Sequence, residues 1–176
     1  MGTRRTGQPM KTMRLAAYLA LLPVWAWPGP AAAQAGPPQP VTWAVGIEPA
    51  ASGIKAGDTF EAVITLKIDD GWHVYAAEET PGGPQPLQIA LADTSPFLSG
   101  GPVKAPAAVR EMDDSFGQVT ASYTASATFR LPVAVPPTLA AGAYDLEIVV
   151  AFQACDGSLC LPARKTALKT TLTISR

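Results

Sequence analysis

Thr59-Phe-Glu-Ala-Val-Ile-Thr-Leu-Lys-Ile68 alternates without a break, placing Phe60, Ala62, Ile64, Leu66 and Ile68 on one face. A period of two sustained over that length is the mark of a half-buried β-strand, because successive side chains of a strand point to opposite faces. Asp69-Asp70-Gly71 then turns the chain into Trp72 to Ala76, and Val41 to Ile47 alternates ahead of it. Leu87 to Leu91, Val119 to Leu131, Tyr144 to Ala154 and Leu161 to Ile174 read as further strands. No segment holds a helical period between capping and stopping signals, and there is no internal repeat. Pro132, Pro136 and Pro137 mark a strand end and a crossing loop. About seven strands with turn signals between them predict an all-β, immunoglobulin-like antiparallel β-sandwich.

Two stretches interrupt this rhythm: Glu78 to Pro86, and Pro96 to Gly117, which ends in Glu111-Met112-Asp113-Asp114-Ser115-Phe116-Gly117. Loops of such length on a sandwich often carry function. Residues 111–114 alone read as a solvated acidic loop, but Phe116 at its tip needs a surface to bury against.

The N-terminus sets the compartment. Arg4, Arg5, Lys11 and Arg14 precede an apolar run from Leu15 to Trp27, followed by Pro28-Gly29-Pro30 and Ala31-Ala32-Ala33. Basic, apolar and small residues in that order form a secretory signal peptide over 1–33, and a run of about 13 residues is short for a bilayer span. Arg4-Arg5 lacks the apolar residues that follow a twin-arginine signal, which favours the general export route; an uncleaved anchor is the competing reading. Residues 34–40, rich in Pro and Gly, read as an extended linker, and 41–176 as one domain of ordinary size. The formal net charge of −1 and the lack of a Lys/Arg cluster after Arg14 argue against nucleic acid or an anionic membrane as partner. Asparagine is absent, so there is no N-glycosylation site, in keeping with a bacterial exported protein.

Export places the only two cysteines, Cys155 and Cys160, in an oxidising compartment, where they are expected to be paired at rest. They stand at either end of Asp156-Gly157-Ser158-Leu159, with Asp156-Gly157 as the turn signal. If the flanking runs pair as a hairpin, the two cysteines face each other and a disulfide closes easily. It would be a weak staple: closing about six residues is worth roughly 2 kcal/mol in chain entropy, and the hairpin already closes that loop.

Gly71-Trp72-His73-Val74-Tyr75, Gly83-Pro84-Gln85-Pro86-Leu87, Asp113-Asp114-Ser115-Phe116-Gly117 and Phe152-Gln153-Ala154-Cys155 closing on Cys160-Leu161-Pro162, in this order, resemble the N-terminal periplasmic domain of the thiol:disulfide interchange protein DsbD. The resemblance runs from Val41 to Ile174, and its most specific element is the aromatic-Gln-x-Cys run closing on Cys-x-Pro. It implies an immunoglobulin-like fold whose cysteine pair takes electrons from a membrane-embedded thiol donor. The electrons pass to periplasmic thioredoxin-fold oxidoreductases, such as disulfide isomerases and cytochrome c maturation thioredoxins, an activity of the protein-disulfide reductase type. Carried onto this chain, Cys155 and Cys160 match the redox pair, Phe116 the aromatic of a cap loop, Asp113 and Asp114 its acidic part, and His73 and Tyr75 aromatic positions beside the site. The cysteine spacing is one residue shorter than in the best-known members. The membrane and C-terminal thioredoxin-like regions of full-length members have no counterpart here, so a stand-alone monomeric form is expected, without cofactor or metal.

Thiol-disulfide exchange needs an accessible sulfur and a thiolate on the attacking side. Asp156 adjoins Cys155 and disfavours a thiolate there, whereas Cys160 is followed by apolar Leu161-Pro162, which selects Cys160 as the sulfur that forms the mixed disulfide. The principal alternative is a non-catalytic β-sandwich binding module with a structural disulfide. A metal site from Cys155, Cys160 and His73 is a thin ligand set, and Ser158 does not sit in a nucleophile elbow. Trp43 and Trp72 read as packing residues.

Export is directly testable. N-terminal sequencing of the protein recovered from the periplasm should start at Gln34 or Gly36, whereas an intact Met1 terminus in the membrane fraction would identify an anchor.

Overall fold

The structure, a computed structural model, describes residues 1–3, 39–49 and 53–176. Residues 4–33 of the signal segment and 34–38 of the linker lie outside the described residues. Every strand belongs to the unit Pro37–Arg176. In chain order these are β1 (Val41–Glu48), β2 (Ile54–Lys55), β3 (Thr59–Ile68), β4 (His73–Tyr75), β5 (Gln88–Leu91) and β6 (Leu98–Ser99). They continue with β7 (Val109–Asp113), β8 (Gln118–Tyr123), β9 (Ala127–Ala134), β10 (Gly142–Phe152), β11 (Ala154–Cys155) and β12 (Arg164–Ser175). There is no helix among the described residues, and hence none able to cross a membrane.

The alternation of β3 buries Phe60, Ala62, Ile64 and Leu66, and β3 pairs antiparallel with both β1 and β9. This gives a sheet of order β1-β3-β9-β6. A second sheet, β2-β12-β10-β5, is antiparallel except for the short parallel pairing of β2 with β12. The core is made by Phe60, Ile64 and Leu66 of β3, Phe129 and Val133 of β9, Leu146, Ile148 and Val150 of β10, and Leu172 and Ile174 of β12. Two inward faces of alternating apolar residues, brought together to exclude water, make the expected sandwich. Trp43 packs its ring 5.5 Å from Phe152 and 6.1 Å from Phe129, which ties β1 to the end of β10 immediately before the cysteines.

A third sheet, β11-β4-β8-β7, carries the candidate site residues His73, Tyr75, Asp113 and Cys155. Its existence corrects two expectations. Val119 to Leu131 is not one strand: Thr124-Ala125-Ser126 separates β8 in the third sheet from β9 in the first, so an apparently continuous apolar alternation changes sheets midway. Pro96 to Gly117 is not one loop: it contains β6 and β7, and β7 pairs with β8 from Val109↔Ser122 to Asp113↔Gln118. Four of the five β7 residues are exposed, so burial left no alternation in the sequence to betray the strand.

Pro132 lies within β9 rather than at its end. Its carbonyl accepts from Gly100 N–H at 2.8 Å, on the side where β9 meets the two-residue β6 and the single bridge Lys104↔Arg130. The N–H that proline lacks therefore faces the short outer border of the sheet, where its absence costs little. At the other end of the unit, Pro40 is buried and its carbonyl accepts from Asp69 N–H at 2.9 Å, so the strand begins already docked.

Candidate functional site

Cys155 ends β11, and its two neighbours across the sheet define the site. On one side it pairs with His73 of β4; on the other it forms an antiparallel bridge with Cys160. The cysteines are disulfide-bonded with Cα atoms 4.1 Å apart. Directly opposed residues of an antiparallel ladder project to the same face, so His73, Cys155 and Cys160 form a row of side chains with Cys155 in the middle. Cys155 has no exposure to solvent, whereas Cys160 at the end of the row is partly exposed.

The turn between the cysteines is organised by Asp156. Its Oδ1 accepts from the backbone N–H of Ser158 and of Leu159, each at 2.7 Å, and from Ser158 Oγ at 3.1 Å. Asp156 N–H in turn donates to the Leu159 carbonyl at 2.9 Å. The backbone donors of Ser158 and then Leu159 hold the Asp156 carboxyl below its ordinary range, which keeps it ionised beside the pair. At the base of the hairpin, Leu161 N–H donates to the Ala154 carbonyl, and Phe152 pairs with Arg164. Between these two pairings Gln153 alone stands opposite Pro162 and Ala163. This is a β-bulge, and it lies where Pro162 has no N–H to offer the ladder.

Gln153 itself is bound twice: its Oε1 accepts from Gln85 N–H at 2.9 Å and its Nε2 donates to the Leu161 carbonyl at 3.3 Å. The Gly83-Pro84-Gln85-Pro86 segment is thereby fastened to the cysteine hairpin. The same segment lies against the β7–β8 hairpin, where a Cβ on Gly83 would stand 2.9 Å from the Thr80 carbonyl and 3.0 Å from Gln118 Nε2. Only glycine allows that approach without displacement. The sequence motif marks Gln153 without its bridging role, which depends on a segment distant in the chain.

The other wall is the β7–β8 hairpin. The Asp113 carbonyl accepts from Gly117 N–H at 2.7 Å and Phe116 N–H at 3.2 Å, and its Oδ1 accepts from Ser115 N–H at 2.9 Å. Gly117 adopts φ of 64°, the left-handed conformation that such a turn requires. The second carboxyl oxygen of Asp113 accepts from Tyr75 Oη at 2.7 Å and from Thr120 Oγ1 at 3.3 Å. Thr120 is buried and was not singled out from the sequence, since one threonine in a strand carries no signal of its own.

Three aromatic rings follow one another across this face. Phe116 lies edge-on to Tyr75 at 5.9 Å, and Tyr75 lies edge-on to His73 at 5.0 Å. The expected cap aromatic is thus half-buried against Tyr75, and His73 stands between Tyr75 and the cysteine row. Burial first, and then the bond to Asp113, push the Tyr75 hydroxyl far above its ordinary range, so it stays a donor. Burial pushes His73 down from its ordinary value of 6.5, against the opposing pull of Asp113 and Asp156. An open cleft of about 190 Å³ reaches His73 between the hairpins, with Glu111, Asp113, Asp114 and Asp156 on its rim. Asp114 is exposed there.

A family model described as "Thiol:disulfide interchange protein DsbD, N-terminal" matches residues 45–172. No curated protein sequence matches the chain. Among solved structures, the chain is similar to the reduced DsbD N-terminal domain of Neisseria meningitidis, with 17% identity and a TM-score of 0.45 over 69% of this chain and 84% of that one. It is also similar to the complex between the DsbD and PilB N-terminal domains of Neisseria meningitidis, with 15% identity and a TM-score of 0.44 over 72% and 80% of the two chains. The N-terminal periplasmic domain of ScsB from Proteus mirabilis gives 14% identity and a TM-score of 0.47, covering 66% of this chain and 42% of that one.

The lowered His73 gives a pH dependence whose sign is determined. Above 6.5 the imidazole is neutral in folded and unfolded chains alike; as pH falls below that value the unfolded chain takes up the proton first, so stability declines until the folded pKa is passed. Urea denaturation between pH 7.5 and 5 should show this decline, and His73→Gln should flatten it. Asp156 acts in a separate window, its contribution being lost as pH falls below its ordinary 3.8.

Proposed function

The chain belongs to the DsbD N-terminal domain family, and from that premise we propose that it is a periplasmic thiol-disulfide exchange module. In this reading the Cys155/Cys160 pair receives two electrons from a membrane-embedded thiol donor and passes them to thioredoxin-fold partners. The observation that carries it is the asymmetry of the pair: a cysteine without solvent exposure joined to a partly exposed one across a short turn. A partner disulfide reaches Cys160 first, and Cys155 waits behind it as the resolving sulfur. The ionised Asp156 next to Cys155 adds to the difference by opposing a second negative charge there.

The basic, apolar and small-residue order of residues 1–33 supports export of the domain. In this reading the β7–β8 hairpin acts as a cap, with the Phe116 ring lying against Tyr75 until a partner displaces it. Asp113 ties the cap down through Tyr75 Oη, a hydrogen bond to a carboxylate of the kind worth about 1.5–3 kcal/mol net, and β8 adds its pairing with β4. A docking partner must supply more than this to lift the hairpin.

Two measurements test the proposal. With Cys155→Ala, Cys160 should trap a mixed disulfide with a periplasmic thioredoxin-fold protein, read on non-reducing gels, while Cys160→Ala should trap at least about tenfold less. Equal trapping, or the reverse order, would remove the assignment of the outer sulfur. With Phe116→Ala, the reduced pair should be alkylated faster by a small reagent while stability changes by about 1 kcal/mol or less. An unchanged rate together with a loss of several kcal/mol would make Phe116 a core residue instead.

A further inference from the structure

The row His73–Cys155–Cys160 sets a problem that the exchange reading leaves open. Once Cys160 has formed a mixed disulfide, Cys155 must lose its proton to attack. A thiol without solvent exposure next to an ionised carboxylate is poorly disposed to do so. The required base must be neutral, must stand beside Cys155 rather than Cys160, and must reach solvent to release the proton.

We propose that His73 is the proton acceptor for Cys155 in the step that resolves the mixed disulfide, an inference that rests on the exchange reading above. Strand order is the first argument. His73 pairs directly with Cys155, and opposed side chains of an antiparallel pair have Cβ atoms about 4.5–5.5 Å apart, within reach of imidazole and thiol. Cys160 lies one strand further away, so the base serves the inner sulfur selectively. Enclosure is the second argument. Tyr75 holds the His73 ring edge-on, and Tyr75 is itself held by Asp113, so the imidazole has a defined place. Solvent access is the third. His73 lines the cleft whose rim carries Glu111, Asp113, Asp114 and Asp156, and of these Asp113 and Asp156 favour the imidazolium once formed. The burial that keeps His73 neutral at neutral pH leaves it free to accept.

The step balances. Cys160 thiolate attacks a partner disulfide; a Cys160–partner S–S bond forms, and the other partner sulfur leaves as a thiolate. Cys155 Sγ–H gives its proton to His73, the Cys155 thiolate attacks Cys160 Sγ, the Cys155–Cys160 bond forms, and the second partner sulfur leaves as a thiolate. The pair has lost two electrons and the partner has gained two. The imidazolium then releases its proton through the cleft, to solvent or to the departing thiolate.

The test uses the reduced full-length mature protein and glutathione disulfide as the probe, with acid-quenched samples read by mass spectrometry for the protein–glutathione adduct. In the unaltered protein the adduct should be brief. In His73→Gln it should accumulate at pH 7, its resolution slowed by roughly 100-fold. The pH profile of resolution should lose its imidazole inflection, and added imidazole should restore part of the rate in His73→Ala. His73→Phe, which retains an aromatic ring against Tyr75, serves if the other variants fail to fold. If resolution in the His73 variants keeps the rate and pH profile of the unaltered protein while Cys155→Ala still traps the adduct on Cys160, the role of His73 is refuted and the exchange reading stands. If Cys155→Ala forms no adduct, the exchange reading falls and this inference falls with it.

Discussion

Cys155 is held from both sides of the sheet, and the arrangement of the site follows from that double pairing. Toward β4 it opposes His73, and across its own turn it opposes Cys160, to which it is bonded. The register that sets the three side chains in a row is held by backbone bonds as well as by the disulfide: Leu161 N–H to the Ala154 carbonyl and Asp156 N–H to the Leu159 carbonyl. The small chain-entropy contribution of so short a loop is consistent with a bond made to be broken and remade. Cys155 is buried in the middle of the row and Cys160 is partly exposed at its end, so two chemically identical residues differ in what can reach them.

Asp113 performs a comparable double task on the opposite wall. Its backbone carbonyl and one carboxyl oxygen close the turn that presents Phe116, while the other carboxyl oxygen receives Tyr75 and Thr120. The geometry of the cap and its attachment to the site therefore share one residue. Loss of the attachment would leave the turn largely intact, because the turn's own bonds are local. The turn's local bonds and the β8–β4 pairing hold the hairpin independently of the Tyr75–Asp113 contact.

Gln153 shows how motifs that are weak singly become informative together. Its side chain spans Gln85 N–H and the Leu161 carbonyl, joining the Gly-Pro-Gln-Pro segment to the bulged hairpin that carries the cysteines. Gly83 sits against the Thr80 carbonyl at a distance that a Cβ would not permit, with the Gln118 side chain of β8 beside it. The segment thus touches both walls of the site.

Much of this was legible in the chain itself, where the determinants are local. The period-two burial of β3, the turn closed by Asp156-Gly157 and the aromatic at the tip of an acidic turn follow from alternating side chains and from short polar residues satisfying nearby N–H groups. The division of Val119 to Leu131 between two sheets and the strand hidden in an exposed acidic stretch were not legible, since neither leaves a periodic trace. Nor could local pattern reveal that His73 opposes Cys155, that Tyr75 reaches Asp113 across 38 positions, or that Gln85 meets Gln153 across 68. Strand order and register are decided by which apolar faces can be buried together, a long-range competition that no window of sequence contains. Residue types and turns belong to the sequence; their juxtaposition, which sets an imidazole opposite one cysteine and solvent beside the other, belongs to the packed sheets.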